Sequence, residues 1–71
     1  MNKIKITIQG MTCSHCEMRV SNAIKSIHGV ILDKIKTGEA IVSIENAIQQ
    51  HEVVAAVKAA GYVVTDVKAA N

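Results

Sequence analysis

Hydrophobic and polar residues alternate strictly through residues 3–9, KIKITIQ, with Ile4, Ile6 and Ile8 on one side and Lys3, Lys5, Thr7 and Gln9 on the other. A period of two marks a half-buried strand. Gly10 ends it, and a short loop carries Met11, Thr12 and Cys13. From Ser14 to His28 the period becomes helical, with Cys16, Val20, Ala23, Ile24 and Ile27 on one stripe. Gly29 is placed to close this helix. Residues 30–36, VILDKIK, predict a second strand with imperfect alternation. Thr37–Gly38 predicts a turn, and residues 39–45, EAIVSIE, predict a third strand completing a hairpin. Asn46 is a capping residue for a second helix over 47–60. There Gln50, Val53, Val54, Val57 and Ala60 share a side, blurred by alanines elsewhere. Gly61 stops that helix, and residues 62–68, YVVTDVK, predict a last strand in which Val63 and Val64 compete for the inward face. The tail from Ala69 to Asn71 is expected to fray.

The predicted order is strand, helix, strand, strand, helix, strand. Two βαβ-like halves around a hairpin give a split βαβ, ferredoxin-like α+β fold, with a four-stranded antiparallel sheet and both helices on one face. Right-handed crossovers leave few alternatives. The 71 residues are expected to form a single domain over 1–71, ordered over about 3–68, without linker or low-complexity segment.

Composition narrows the functions. The chain is 49% hydrophobic and 20% charged, with Tyr62 as its one aromatic residue. Binding to single-stranded nucleic acid relies on aromatic platforms, so no nucleic-acid partner is expected. The net charge of +2 is scattered along the sequence, which does not single out a polyanion. No stretch reaches the roughly 18–20 apolar residues of a membrane span, and the alternating start is unlike a signal peptide. Two cysteines are too few for the disulfide framework of a secreted mini-protein, so a reducing cytoplasm is the expected location.

Both cysteines lie in GMTCSHCEMRV, residues 10–20, two residues apart. Cys13 falls in the loop and Cys16 in the first helical turn, where unpaired N–H groups and the helix dipole favour thiolate. Residues three apart on a helical turn have Cβ atoms about 5–6 Å apart, so two sulfurs can converge on one ion. A structural zinc site needs four ligands, and no second Cys-x-x-Cys or suitably spaced histidine pair exists. An iron–sulfur cluster normally takes four cysteines. A thioredoxin-like oxidoreductase relies on a proline opposite its cysteines, and this chain has none. A low-coordinate site for a thiophilic ion such as Cu(I) fits best, with thiol–disulfide chemistry as the rival.

GMTCSHC between a strand and a helix, together with AAGYVV at 59–64, resembles the heavy-metal-associated domain family, most of all its soluble bacterial copper chaperones. The likeness runs from Lys3 to about Lys68. It implies a carrier rather than an enzyme, holding one Cu(I) between Cys13 and Cys16 and passing it by thiolate exchange to a partner such as a copper-transporting P-type ATPase. It also implies that Met11 packs under the loop and that Tyr62 lies beside the cysteines. The segment between Gly29 and Gly38 is shorter than in many relatives, so a curtailed or bulged second strand is expected. The alternatives are an excised N-terminal domain of a heavy-metal P-type ATPase, or a carrier of Hg, Zn or Cd.

The remaining polar residues have plainer readings. A methionine ahead of such a loop is more often core than ligand. His15 is expected to be exposed, with a third-ligand or dimer-bridging role as the alternative. The apo protein is then a monomer and a metal-bridged dimer the variant. His28 and His51 are expected on the surface and are not assigned as ligands. Arg19 and Lys25 fall outside the apolar stripe, as solvated surface able to meet an acidic partner.

Overall fold

The computed structural model describes residues 2–11 and 14–70, apart from the Ser14 side chain. The elements are β1 (Asn2–Gln9), α1 (Ser14–Lys25), β2 (Ile31–Lys36), β3 (Glu39–Ile44), α2 (Ala47–Ala59) and β4 (Val63–Ala69). The strands form one sheet in the order β2-β3-β1-β4, each neighbouring pair antiparallel. This is the expected ferredoxin-like plan. Ile4, Ile6 and Ile8 of β1 meet Ala40, Val42 and Ile44 of β3, Val20 and Ile24 of α1, and Val53 and Val57 of α2 in one buried cluster. Burying a Val or Ile side chain in this way contributes about 1.5–3 kcal/mol.

Two bulges resolve the strands whose alternation was imperfect. Along β2 the pairing steps from Leu32 opposite Val42 to Lys34 opposite Ile41, so Asp33 is the extra residue. Leu32 and Ile35, three apart, can therefore both pack on the core. The expectation of a bulged second strand is met. The carboxylate of Asp33 accepts a hydrogen bond from the buried Ser43 hydroxyl. Along β4 the partners step from Asp66 opposite Thr7 to Val64 opposite Ile8, leaving Thr65 as the extra residue. Val64 and Val67 thus both turn inward, while Val63 is 58% exposed. The expected fraying of the tail is not seen at Ala69 and Ala70, and Asn71 lies outside the described residues. Strand β4 runs through Ala69, and Ala70 N–H donates to the Lys3 carbonyl at 2.8 Å.

The first helix is shorter than its periodicity predicts. It ends at Lys25 rather than His28. There the Ser26 hydroxyl donates to the Ala23 carbonyl at 2.7 Å, and Ile27 N–H reaches back only to Ile24, so the chain tightens into a turn. Ile27 still packs on the core from that turn.

The second helix begins as its sequence predicts. Asn46 is the N-cap, and its side chain accepts from Gln49 N–H at 3.1 Å. The polar residue on the inner face is Gln49, however, not Gln50. Its Oε1 accepts from Glu45 N–H at 2.5 Å, and its Nε2 donates to the His28 carbonyl at 3.2 Å. One amide therefore ties the start of α2 to the turn after α1. Among the described residues, no buried side-chain N or O lacks a hydrogen-bond partner.

The sheet face away from the helices is charged. The register groups Lys34, Ile41, Lys5 and Lys68 in one row and Lys36, Glu39, Thr7 and Asp66 in the next. Glu39 bridges Lys36 at 2.8 Å and Lys5 at 3.3 Å, and the hydrogen bond from Lys36 leads in holding its carboxyl below the usual carboxylate range.

Gln49→Ala is expected to cost about 1–3 kcal/mol, because it strands the Glu45 N–H and the His28 carbonyl. Gln50→Ala should cost less than about 0.5 kcal/mol, as surface changes do. Urea midpoints at unchanged m-value measure both, and equal costs would overturn the assignment of the clasp.

Candidate metal centre

Two chain reversals build this end of the molecule. The first follows β1. Gly10 has φ +97°, and a Cβ there would lie 3.3 Å from Cδ1 of Tyr62, so glycine both permits the turn and admits the ring. Met11 comes next and is 5% exposed, which places it in the core as packing. Thr12 and Cys13 lie outside the described residues. The chain re-enters as α1 at Ser14. Cys16 sits in the first turn, half-buried, with its sulfur against the core and 3.9 Å from the Gly10 carbonyl. Glu17 in the first turn and Lys25 in the last complement the helix dipole.

The second reversal delivers Tyr62. Helix α2 ends with Gly61 at φ +99°, whose N–H donates to the Lys58 carbonyl, while Tyr62 N–H donates to the Val57 carbonyl. These paired bonds are a Schellman motif. The residue after the glycine in that motif folds back on the helix, so Tyr62 is buried beside Val57 and brought to Gly10. Tyr62, which the resemblance places beside the cysteine loop, packs against Gly10 at the end of β1.

The Tyr62 hydroxyl has its pKa pushed above the ordinary phenol value. The largest cause is its hydrogen bond with Cys16, followed by desolvation and by the charge of the Cys16 sulfur. Arg19 acts in the opposite direction, through its charge and a hydrogen bond to the same hydroxyl. Cys16 and Arg19 stand three residues apart on α1, so their side chains leave the helix on neighbouring positions. Sequence reasoning treated Arg19 as solvated surface. It is exposed, yet it belongs to this cluster. The signal was its spacing from Cys16, which becomes informative only once both are known to act on the Tyr62 hydroxyl.

The other candidates stand apart from the described cluster or at its rim. His15 is exposed on the first turn of α1, and His28 and His51 are exposed at the turn after α1 and on α2. Among the described residues, no group of three or more His, Cys, Asp and Glu side chains gathers where it could hold a metal. Nor is any helix there long and apolar enough to cross a membrane.

Tyr62 is the only aromatic residue, so its titration can be followed by ultraviolet absorbance without interference. The reduced metal-free protein should titrate with a midpoint above about 10, and Cys16→Ala should lower that midpoint. Because the folded-state pKa is the higher one, the Tyr62 contribution to stability is present below the unfolded value and lost as pH rises through the folded one. A midpoint that Cys16→Ala leaves unmoved would exclude the contact.

Comparison with known proteins agrees with this fold. A mercuric reductase of Lysinibacillus sphaericus is 33% identical over 63 residues, which cover 87% of this chain but 12% of that protein. The chain thus spans a small part of that curated relative's length. The N-terminal domain of ZntA in its Zn(II) form superposes with a TM-score of 0.81 at 29% identity, covering 99% of this chain and 97% of that one. A copper-binding domain from HMA7, a P-type ATPase, shares the fold with a TM-score of 0.81 at 23% identity, covering 100% of this chain and 96% of that one. Residues 5–63 match the heavy-metal-associated domain, and the chain belongs to that family.

Proposed function

We propose that this protein is a cytosolic Cu(I) carrier without enzymatic activity, holding one ion between the thiolates of Cys13 and Cys16. The observation that carries the reading is the seat of Cys16. Its side chain is half-buried in the first turn of a helix, where backbone N–H groups are unpaired, and lies beside the Gly10 carbonyl and the Tyr62 hydroxyl. Soft thiolates select soft ions, and Cu(I) accepts two ligands where Zn(II) prefers four. The family supports metal binding, and its members among the structural neighbours include zinc and copper forms.

Transfer follows from an unfilled coordination sphere. A partner bearing its own cysteine pair docks over the loop, one of its thiolates adds to the ion, and one of this chain's thiolates leaves. The ion passes through a three-sulfur arrangement and is never free in solution. A metal-transporting P-type ATPase is the partner that suits this chemistry. A second reading is favoured by the relatives: the domain serves as the N-terminal metal-binding part of a longer pump or reductase, and its cargo includes Zn(II) or Hg(II). A stop codon directly after Asn71 in the coding region favours the freestanding carrier. A reading frame that continues into a pump or reductase favours the second.

Competition against chelators of known strength, on reduced protein without oxygen, tests the site and the cargo together. One equivalent of Cu(I) should bind, and Cys13→Ser or Cys16→Ser should each weaken it by more than about a hundredfold, since losing groups behind the ligands alone costs 10–100-fold. Undiminished binding by Cys13→Ser rejects the two-thiolate site. Preference for Zn(II) over Cu(I) rejects the copper reading.

A further inference from the structure

We infer that the uncovered face of the sheet is a docking surface for a protein partner that presents acidic side chains. No residue of this face belongs to the cysteine loop, so the inference stands apart from the metal reading. The positive charge is scattered along the sequence, but the fold gathers it. Lys3, Lys5, Lys34, Lys36 and Lys68 are exposed on the side of the sheet away from the helices, with three carboxylates, Asp33, Glu39 and Asp66, among them. The remaining charged side chains balance, since Arg19, Lys25 and Lys58 stand against Glu17, Glu45 and Glu52. The whole net charge of +2 therefore sits on this one face.

The register sharpens the pattern. Lys34, Ile41, Lys5 and Lys68 form one row across all four strands. Strands lie about 4.8 Å apart, so the row spans roughly 15 Å. Lys5 and Lys68 are directly opposite each other, an arrangement that costs stability. Lys5 and Lys36 share Glu39, and Asp66 lies 3.6 Å from Lys68, whereas Lys34 has no carboxylate partner among the described residues. Carboxylates supplied from outside relieve that repulsion and pair Lys34. Half-buried Ile41 lies within the row, and exposed Ile31 and Val63 stand at opposite corners of the same face. Apolar spots among charges suit a protein surface. Anchoring at a bilayer interface relies instead on Trp and Tyr, and Tyr62, the only aromatic residue, is buried in the core.

The test takes the whole chain, reduced and metal-free, and follows backbone amide chemical shifts as an oligo-glutamate peptide is added. Shifts should centre on Lys5, Lys34, Ile41 and Lys68 and fade as salt rises. Lys34→Gln and Lys68→Gln should each weaken the peptide about two- to fivefold, the scale of one exposed charge pair. Lys25→Gln, which removes the same charge from α1, should weaken it less. Unaltered thermal unfolding of the three variants checks that the fold is intact. Shifts centred on the helices, equal losses for all three variants, or no binding overturns the inference. So does tighter binding to phosphatidylcholine vesicles carrying phosphatidylserine than to the peptide, which would make the face a lipid site.

Discussion

Strand β1 is the constraint on which the rest depends. It lies inside the sheet, paired with β3 along one side and β4 along the other, and its three isoleucines form the floor under both helices. A strand held on both edges and one face has no freedom to slip, since a shift by one residue would turn the isoleucines to water. Its end is therefore a fixed point, and Gly10 and Met11 emerge from it in a set direction. The buried Met11 anchors the start of the cysteine loop to the core, and α1 anchors the resumption at Ser14. The described residues on either side of the loop are thus held by this frame.

The turn that ends α2 serves the same purpose from the opposite direction. The Schellman motif at Gly61 consumes the last carbonyls of the helix and throws Tyr62 inward. One phenol then contributes apolar bulk beneath the loop and a donor toward the Cys16 sulfur. Arg19 completes the arrangement from the helix. The three side chains come from α1 and from the α2–β4 turn, far apart in sequence and joined only by the fold.

Much of this was legible in the residues. The alternation of β1, the helical stripe through Val20 and Ile24, the cap at Asn46 and the stop at Gly61 are local signals, and the element order they give leaves few topologies. What escaped depends on pairing or on competition. Whether Val63 or Val64 turns inward is decided by a bulge opposite Ile8, which requires knowing the partner strand. The early end of α1 reflects Ser26 bonding back to Ala23, a contest that periodicity cannot weigh. Gln49 was displaced by Gln50 in the reading because both suit a helix, and only the exposed ends of two backbone segments select between them. Arg19 has no local mark of function, since its neighbour Tyr62 comes from the other half of the chain.

The lysines on the uncovered side of the sheet have a consequence for how copies of this molecule can meet. Lys5 and Lys68 stand directly opposite each other, with Lys34 in the same row, and flanking carboxylates answer only part of that charge. Two such surfaces brought together would set like charges against one another in a drying gap, which repels flat stacking of the kind that leads to aggregates. Encounters between copies are thereby turned away from the broad side of the protein.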